Sequence, residues 1–399
     1  MAHQQSTSVD VLIIGGGIIG LTLCNLLLRA GYRVGLVDKK IVRDSPDSTS
    51  LKNAAWVSAL ARPGQRLFEK IGIWENILQS AAPYTDMQVA LCNREKIVFS
   101  NRDIGQENLG YIVNNTTMLK YLWGAVSNWR QRLSIFEDQP LSWTDHERKL
   151  ELQSGEVCYT SLLIGADGAR SWTRSACKIE LKSNSYIHDS GYIGVLKHHI
   201  PHENQARQVF YDAGVIGLLP TRDPEASICV WSTTDQGNGG KESPMTGDIE
   251  HLNRLFNDVF EPAEYTLDGT WTRRPIYSHQ ACSYVRENAL LVGDAALCLH
   301  PLAGQGLNIG LRQVEILAKC IIAAGKANSL SEFDDYANSY QRQCRGYDAL
   351  SQQVISWCRT SMTSTGPMQH MLGFGAYLLN KSSLLKRQLI RHALEGNQG

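Results

Sequence analysis

The spacing of apolar positions along the chain changes at definite points, and each change marks an element. From Asp10 to Ile14 the chain reads DVLII, a β-branched and leucine run suited to a strand buried on both faces. It stops at three consecutive glycines. Beyond them Leu21, Leu23, Cys24, Leu27 and Leu28 follow a helical spacing, and Ala30–Gly31 marks the helix end. Tyr32 to Val37 reads as a second strand ending in Asp38. Much later, Leu162–Ile164 reads as a strand before Gly165, Ala289–Val292 as a strand before Gly293, and Leu307–Ala324 as a long helix. Leu and Val alternation around Val209–Leu219, followed by Ser227–Trp231, predicts antiparallel strands of a separate sheet. Val11 to Leu28 approaches membrane-span length without a charge, but the glycines and Asn25 divide it into strand, turn and helix, so no transmembrane segment is expected.

The first strand–turn–helix carries a phosphate-binding pattern. Gly15, Gly17 and Gly20 form GxGxxG. Gly15 suits the tight turn, Gly17 lets backbone N–H groups approach a pyrophosphate, and Gly20 lets the helix pack on the strand. The helix start, with Ile18 and Ile19, brings positive partial charge to the same place. Asp38 is placed to accept hydrogen bonds from a ribose hydroxyl pair and disfavours a 2′-phosphate, with Lys39 beside it.

A second glycine-rich turn begins nearly three hundred residues later, in GDAALCLHPLAGQGLNIG, residues Gly293–Gly310. Asp294 follows a strand, where ligands bind in open α/β sheets, and its carboxylate suits a sugar-alcohol chain. Gly304 and Gly306, with Leu307 and Asn308, open a long helix whose N–H groups aim at something electron-rich. Either the chain binds two nucleotides or it holds one long cofactor at both ends. FAD fits both: its AMP half at Gly15–Gly20 and Asp38, its ribityl chain near Asp294, its flavin ring against the helix after Gly306. A third stretch, LLIGADGARSWTR, has Asp167 and Gly168 after a strand and reads by itself as an ordinary Asp-Gly turn.

Bulk properties narrow the partners. The chain has 399 residues, enough for two or three domains, and its 39 basic and 39 acidic residues balance, so no global charge points to nucleic acid. Ten cysteines without a CxxC pair predict reduced thiols in a cytoplasmic setting, and MAHQQSTSV has neither a secretory nor a transit signature. His198, His199 and His202 lack cysteine companions and read as solvated surface histidines; no metal site is expected.

The three motifs, in this order and spacing, resemble those of the class A flavoprotein aromatic hydroxylases, most closely the ubiquinone-biosynthesis hydroxylase family. The match rests on Gly15–Gly20, GADGARS, and GDAA with HPLAGQGLNIGLR. Smaller pieces at Val57–Trp74, Leu109–Asn115, Pro220 and Trp231 extend it over most of the first 320 residues. The resemblance implies an α/β fold: a Rossmann-like FAD-binding domain of the para-hydroxybenzoate-hydroxylase type, an inserted mixed β-sheet substrate domain, and C-terminal helices. The expected division is a discontinuous FAD domain (1–75, 100–178 and 272–340), a substrate domain (76–99 and 179–271) and a helical region (341–399). Two positions differ from the family pattern: Trp56 stands where an arginine is usual, with Lys52 and Arg62 as possible substitutes, and Leu297 where a histidine is usual.

The same resemblance implies the chemistry. NAD(P)H visits to reduce the flavin, with Asp167 and Gly168 serving both FAD and that transient docking. O2 then forms a C4a-hydroperoxide that hydroxylates the ring of a polyprenylphenol ubiquinone precursor. No nucleophile is needed. His300, beside Pro301, is the one candidate catalytic side chain, orienting substrate or relaying a proton, with packing as its other reading. Met362–Leu394 mixes apolar residues with Lys381, Lys386, Arg387 and Arg391, which suits either peripheral contact with the inner face of a membrane or helices packed on the FAD domain. A hydroxylase of a small soluble phenol shares every motif. A weakly catalytic FAD-binding subunit of a biosynthetic complex, or a homo-oligomer, also remains open.

Overall fold

The computed structural model describes residues 6–41, 56–91, 95–182, 190–211, 214–233, 249–260, 263–299, 305–325, 334–349 and Arg387. The run that opens the chain does form a strand, Ser6–Ile14, and its last four residues are fully buried as their composition demands. It is the centre of the first sheet. Val34–Asp38 and then Leu133–Glu137 lie parallel on one side; Val157–Gly165 and then Ala289–Leu291 lie parallel on the other, with Val285–Arg286 antiparallel at that edge. Chain order therefore reverses at Ser6–Ile14, the position where open α/β sheets bind their ligands.

The strand before the Asp-Gly turn is longer than its apolar residues alone indicate, because Val157–Thr160 pair with Ser6–Val9 and continue the same ladder. The predicted second strand begins two residues late, at Val34. The long helix begins at Gly306, one residue before its first apolar position.

Helices Ile18–Arg29, Asn115–Val126 and Gly306–Ala324 cover one face and share a single apolar core with Phe68, Ile71 and Trp74. The helix 334–349 joins that core through Ala337, Tyr340 and Cys344. Fully burying one such apolar side chain contributes about 1.5–3 kcal/mol, so the face is held by many similar contributions.

The second sheet has seven strands in the order Thr266–Pro275, Ser190–Lys197, Ala226–Thr233, Gly214–Pro220, Gln205–Tyr211, Asp86–Ala90 and Lys96–Ser100. Among these described strands only Gln205–Tyr211 with Asp86–Ala90 is a parallel pair, so the sheet is mixed. Its strands alternate faces. Leu196, Tyr211, Ile216, Leu218 and Trp231 point to the side covered by Leu252 and Phe256 of the helix Ile249–Asn257. There the Trp231 indole N–H donates to Tyr211 Oη at 2.6 Å, which satisfies the one polar atom of a fully buried ring.

The histidines beside this sheet are a correction. His198 and His202 are buried, not solvated, because their ring nitrogens fasten a turn. His198 Nδ1 lies 2.7 Å from Ile200 O and Nε2 lies 3.0 Å from Ser227 Oγ. His202 Nε2 lies near Thr221 O and Asp223 O, while Nδ1 accepts from the Asn204 N–H at 3.1 Å. That acceptor role requires a neutral ring. Burial lowers both pKa values, and Arg207 adds to the effect. Because the folded pKa lies below the unfolded one, the contribution of these rings is intact above about pH 6.5 and declines as pH falls through the lowered folded value. NMR titration of ring-labelled protein should show His198 and His202 protonating below the free-histidine midpoint; midpoints at or above it would contradict the neutral assignment.

Candidate functional site

Register brings the three motifs together. Ile14 pairs with Val37 on one side and Gly165 on the other, and Gly165 pairs with Leu291. The residues just beyond, Gly15, Asp38, Asp167 and Gly293–Asp294, therefore emerge at one edge of one sheet. Turns separated by nearly three hundred residues become neighbours.

The first turn is built by close approach. Gly15 has φ +110°, and a Cβ there would stand 2.4 Å from Ala166 O; one at Gly20 would stand 1.9 Å from Gly15 O. Neither position accepts a side chain. Gly17 is different: a Cβ there would meet nothing within 4 Å, so its backbone faces open space, and it begins the helix without a capping side chain. Asn114 and Ser171, by contrast, cap their helices with side-chain oxygens. The first-turn amides after Gly17, including those of Ile18 and Ile19, are left for an anion.

Asp38 helps shape this turn. Its Oδ2 accepts from the Gly16 N–H at 2.6 Å and its Oδ1 from the Lys40 N–H at 3.0 Å, and each oxygen keeps a lone pair for a sugar hydroxyl. Lys39 is exposed beside it. The Ile19 side chain points the other way and fills a slot: a Cβ at Gly293 would stand 3.1 Å from it and one at Gly310 2.6 Å. Gly310 is a part of the site that spacing alone does not reveal, since its value lies in what packs against it.

Asp167 turns inward. It accepts from Ser171 Oγ at 2.6 Å and from the backbone N–H and the hydroxyl of Thr173 at 2.9 and 3.1 Å, so its carboxylate stabilises its own turn. Gly168 follows with φ +80° and open space at its Cβ position. Arg174 links this motif to the later one: buried, it donates to Ala169 O at 2.9 Å and Ala295 O at 3.0 Å. His279 holds the adjoining carbonyl, with Nε2 3.1 Å from Asp294 O. Burial, and then the Arg174 charge, lowers that ring's pKa, and Arg174 Nη1 lies 3.4 Å from the same Nε2.

The Asp294 side chain is solvent-accessible, yet enough protein surrounds it to push its pKa up to about 6. A residue both reachable and crowded lines a cleft. Gly306 opens the long helix with clear space at its Cβ position, and Gln305 before it supplies no side-chain cap. Leu307 is half-buried against the core. The Asn308 side chain faces the neighbouring strand instead: its amide accepts from the Ala61 N–H and donates to Ala59 O, both at 2.8 Å, pinning the strand Val57–Leu60 to the helix start.

Trp56, at the start of that strand, is exposed. Leu297 is buried in the core of the first sheet, which accounts for an apolar residue there. His300, Pro301 and Gly304 lie outside the described residues, as do Lys52 and, Arg387 excepted, Met362–Leu394. Among the described residues no group of three His, Cys, Asp or Glu side chains is placed to hold a metal ion, and no helix is long and apolar enough to cross a membrane.

An anion site at one end of the cleft and a carboxylate beside an uncapped helix at the other fit a dinucleotide with a polyol between its halves. The FAD-binding-domain family matches residues 8–345. The chain belongs to that family. FAD is its cofactor and FAD-dependent monooxygenase its enzyme class, as the resemblance implied. The chain is 24% identical over 389 residues to the 3-demethoxyubiquinol 3-hydroxylase of Escherichia coli strain K12, covering 96% of this chain and 98% of that protein. It is 27% identical over 403 residues to the ubiquinone hydroxylase UbiL of Rhodospirillum rubrum, covering 96% and 89%. In fold it matches the crystal structure of p-nitrophenol 4-monooxygenase PnpA from Pseudomonas putida DLL-E4, with TM-score 0.74, 17% identity and coverage of 98% and 100%. The expected para-hydroxybenzoate-hydroxylase-like α/β architecture is the one observed.

The Asp294 carboxyl gives a test with two opposite readouts. Its folded pKa is raised, so ionisation above about pH 6 costs the cofactor-free fold stability that returns as pH falls through that value. Asp294→Asn should raise the Tm of the FAD-free protein at pH 7.5 while weakening FAD binding by about tenfold, because a carboxylate accepts more strongly than an amide. A lower Tm with FAD binding unchanged would mean that Asp294 serves only the fold.

Proposed function

We propose that the chain hydroxylates the aromatic ring of a ubiquinone precursor carrying a polyprenyl chain, with NAD(P)H as reductant and O2 as oxidant. The names of the relatives support the substrate class. The observation that carries the reading is the face of the seven-stranded sheet opposite Trp231.

On that face Val215 and Phe210 join an apolar cluster with Leu91 and Ile97, against which Leu299 of the Gly-Asp segment packs. Two strand positions beyond Gly217, Leu219 packs on a second apolar cluster that includes Tyr84, Ile112, Val57 and Ala59. Between them stands Gly217, in register with Val230, which pairs in turn with Ile193. A Cβ at Gly217 would meet only Val230 O, at 3.9 Å. The face therefore offers a bare strip between two greasy walls, bordered by Leu299 and by the strand that Asn308 pins. A flat ring with an apolar tail suits such a strip.

When bound, FAD would supply the redox chemistry, coupling hydride from NAD(P)H to O2 so that one oxygen atom goes to the ring and the other to water. The chain's part is to hold. Uncapped amides after Gly17 would hold the pyrophosphate, Asp38 the ribose and Asp294 the ribityl hydroxyls, and the positive end of the helix Gly306–Ala324 would favour negative charge on the ring system. The apolar clusters exclude water, which limits loss of reducing equivalents as hydrogen peroxide. A substrate with a polyprenyl tail resides in a membrane, so peripheral contact through Met362–Leu394 belongs to the same reading.

The test is NAD(P)H oxidation under air with a short-chain polyprenylphenol and with the same phenol lacking the tail. Stimulation and an oxygenated product with the prenylated compound are expected; stimulation by the bare phenol alone would replace this reading with a soluble-phenol hydroxylase. Gly217→Leu should raise KM for the prenylated phenol at least about tenfold by filling the strip with a side chain of which each buried CH2 is worth ~0.8 kcal/mol, while FAD binding stays unchanged. An unaltered KM would place the substrate elsewhere.

A further inference from the structure

Asp348 is completely buried on the helix 334–349, outside all three motifs, and one of its oxygens, Oδ1, has no hydrogen-bond partner among the described residues. Buried carboxyls without full satisfaction are costly and call for a reason. Its other oxygen, Oδ2, accepts from Tyr284 Oη at 2.8 Å and from Gln313 Nε2 at 3.3 Å. Gln313, buried on the long helix, uses its own oxygen to accept from the Gly293 N–H at 2.8 Å. Gly293 is the residue with φ +65° immediately before Asp294. A continuous chain of hydrogen bonds thus runs from Asp348 through Gln313 to the backbone that aims the candidate ribityl ligand.

The direction of that chain is forced. A glutamine amide presents its oxygen to Gly293 only if its NH2 has somewhere to go, and Asp348 is the acceptor that receives it. An apolar residue at 348 would leave the NH2 unpaired in the core and remove the preference for the orientation that Gly293 needs. The surrounding groups hold Asp348 rather than the cofactor. Burial pushes its pKa up to about 6, while the bonds from Tyr284 and Gln313 and the charges of Arg312 and Arg345 draw it down. Tyr340, on the same helix, donates to Leu291 O at 2.6 Å and clamps the strand that leads into Gly293. The neighbourhood grips the Gly-Asp turn from below at two points.

We propose that Asp348 is a positioning residue for FAD: through Gln313 it sets the Gly293 peptide, and so the aim of Asp294, without touching the cofactor. This rests on the assignment of Asp294 to the ribityl chain. The experiment compares Asp348→Leu, Asp348→Asn, Gln313→Leu and Asp294→Ala in the full chain, measuring the FAD dissociation constant by fluorescence and the rise in Tm on FAD addition. Asp348→Leu and Gln313→Leu should each weaken FAD by about tenfold, the loss of one buried hydrogen bond, and shrink the FAD-induced rise in Tm. Asp348→Asn keeps an acceptor and should bind FAD within about threefold of the parent, a difference well under 1.4 kcal/mol. Should Asp348→Leu not fold, Gln313→Leu and Asp348→Asn still decide. Variants that lower the Tm of the FAD-free protein yet keep its full FAD-induced rise would overturn the proposal and leave a structural role. If Asp294→Ala binds FAD as the parent does, the ribityl assignment itself fails; if it weakens binding while Gln313→Leu does not, only the positioning role fails.

Discussion

The structure depends on the place where Ser6–Ile14 stops. Because Ile14 is level with Val37 and Gly165, and Gly165 with Leu291, the chain leaves three neighbouring parallel strands and a fourth at the same height. Parallel strands put all their carboxyl ends at one edge, and crossover helices leave that edge open. Both faces of these strands are buried, so alignment is fixed by close contacts at their ends: a slip would carry Gly15 away from Ala166 O and Gly165 away from Thr173, where no other residue fits. The site is a consequence of register before it is a matter of ligands.

Several side chains convert that alignment into a rigid cleft. Ile19 fits a slot left by two glycines, Arg174 spans the Asp-Gly and Gly-Asp segments through their carbonyls, and Asn308 ties the strand Val57–Leu60 to the long helix. The bonds of Asn308 contribute a net ~1 kcal/mol each and those of the charged Arg174 about 1.5–3 kcal/mol. Together they restrict how the turns move relative to one another, which lowers the entropy lost when a long, flexible cofactor is bound at several points.

Much of this was legible in the sequence, for physical reasons that differ from residue to residue. GxGxxG with its strand, helix and acid is a local unit, and its helix and strands form close to where periodicity put them. The second turn was legible as a helix start, and its partnership with the first followed from cofactor length rather than from pairing. What spacing did not carry are contacts made across the fold. Gly310 is visible only once Ile19 is seen against it. His279 and Gln313 look like ordinary strand and helix residues until the carbonyl and amide they hold are known. The polarity of His198 and His202 argues for water, whereas backbone carbonyls and an amide satisfy them inside the protein. Asp167 kept its predicted place, and its carboxylate is engaged by its own turn.

The central claim is that one molecule spans both glycine-rich turns. Titration of the FAD-free protein with FAD, followed by flavin fluorescence with ADP as competitor, tests it most directly. One FAD per chain and strict competition by ADP are expected if the adenosine half occupies the turn at Gly15–Gly20. Independent binding of ADP alongside FAD would mean two separate nucleotide sites and would contradict it.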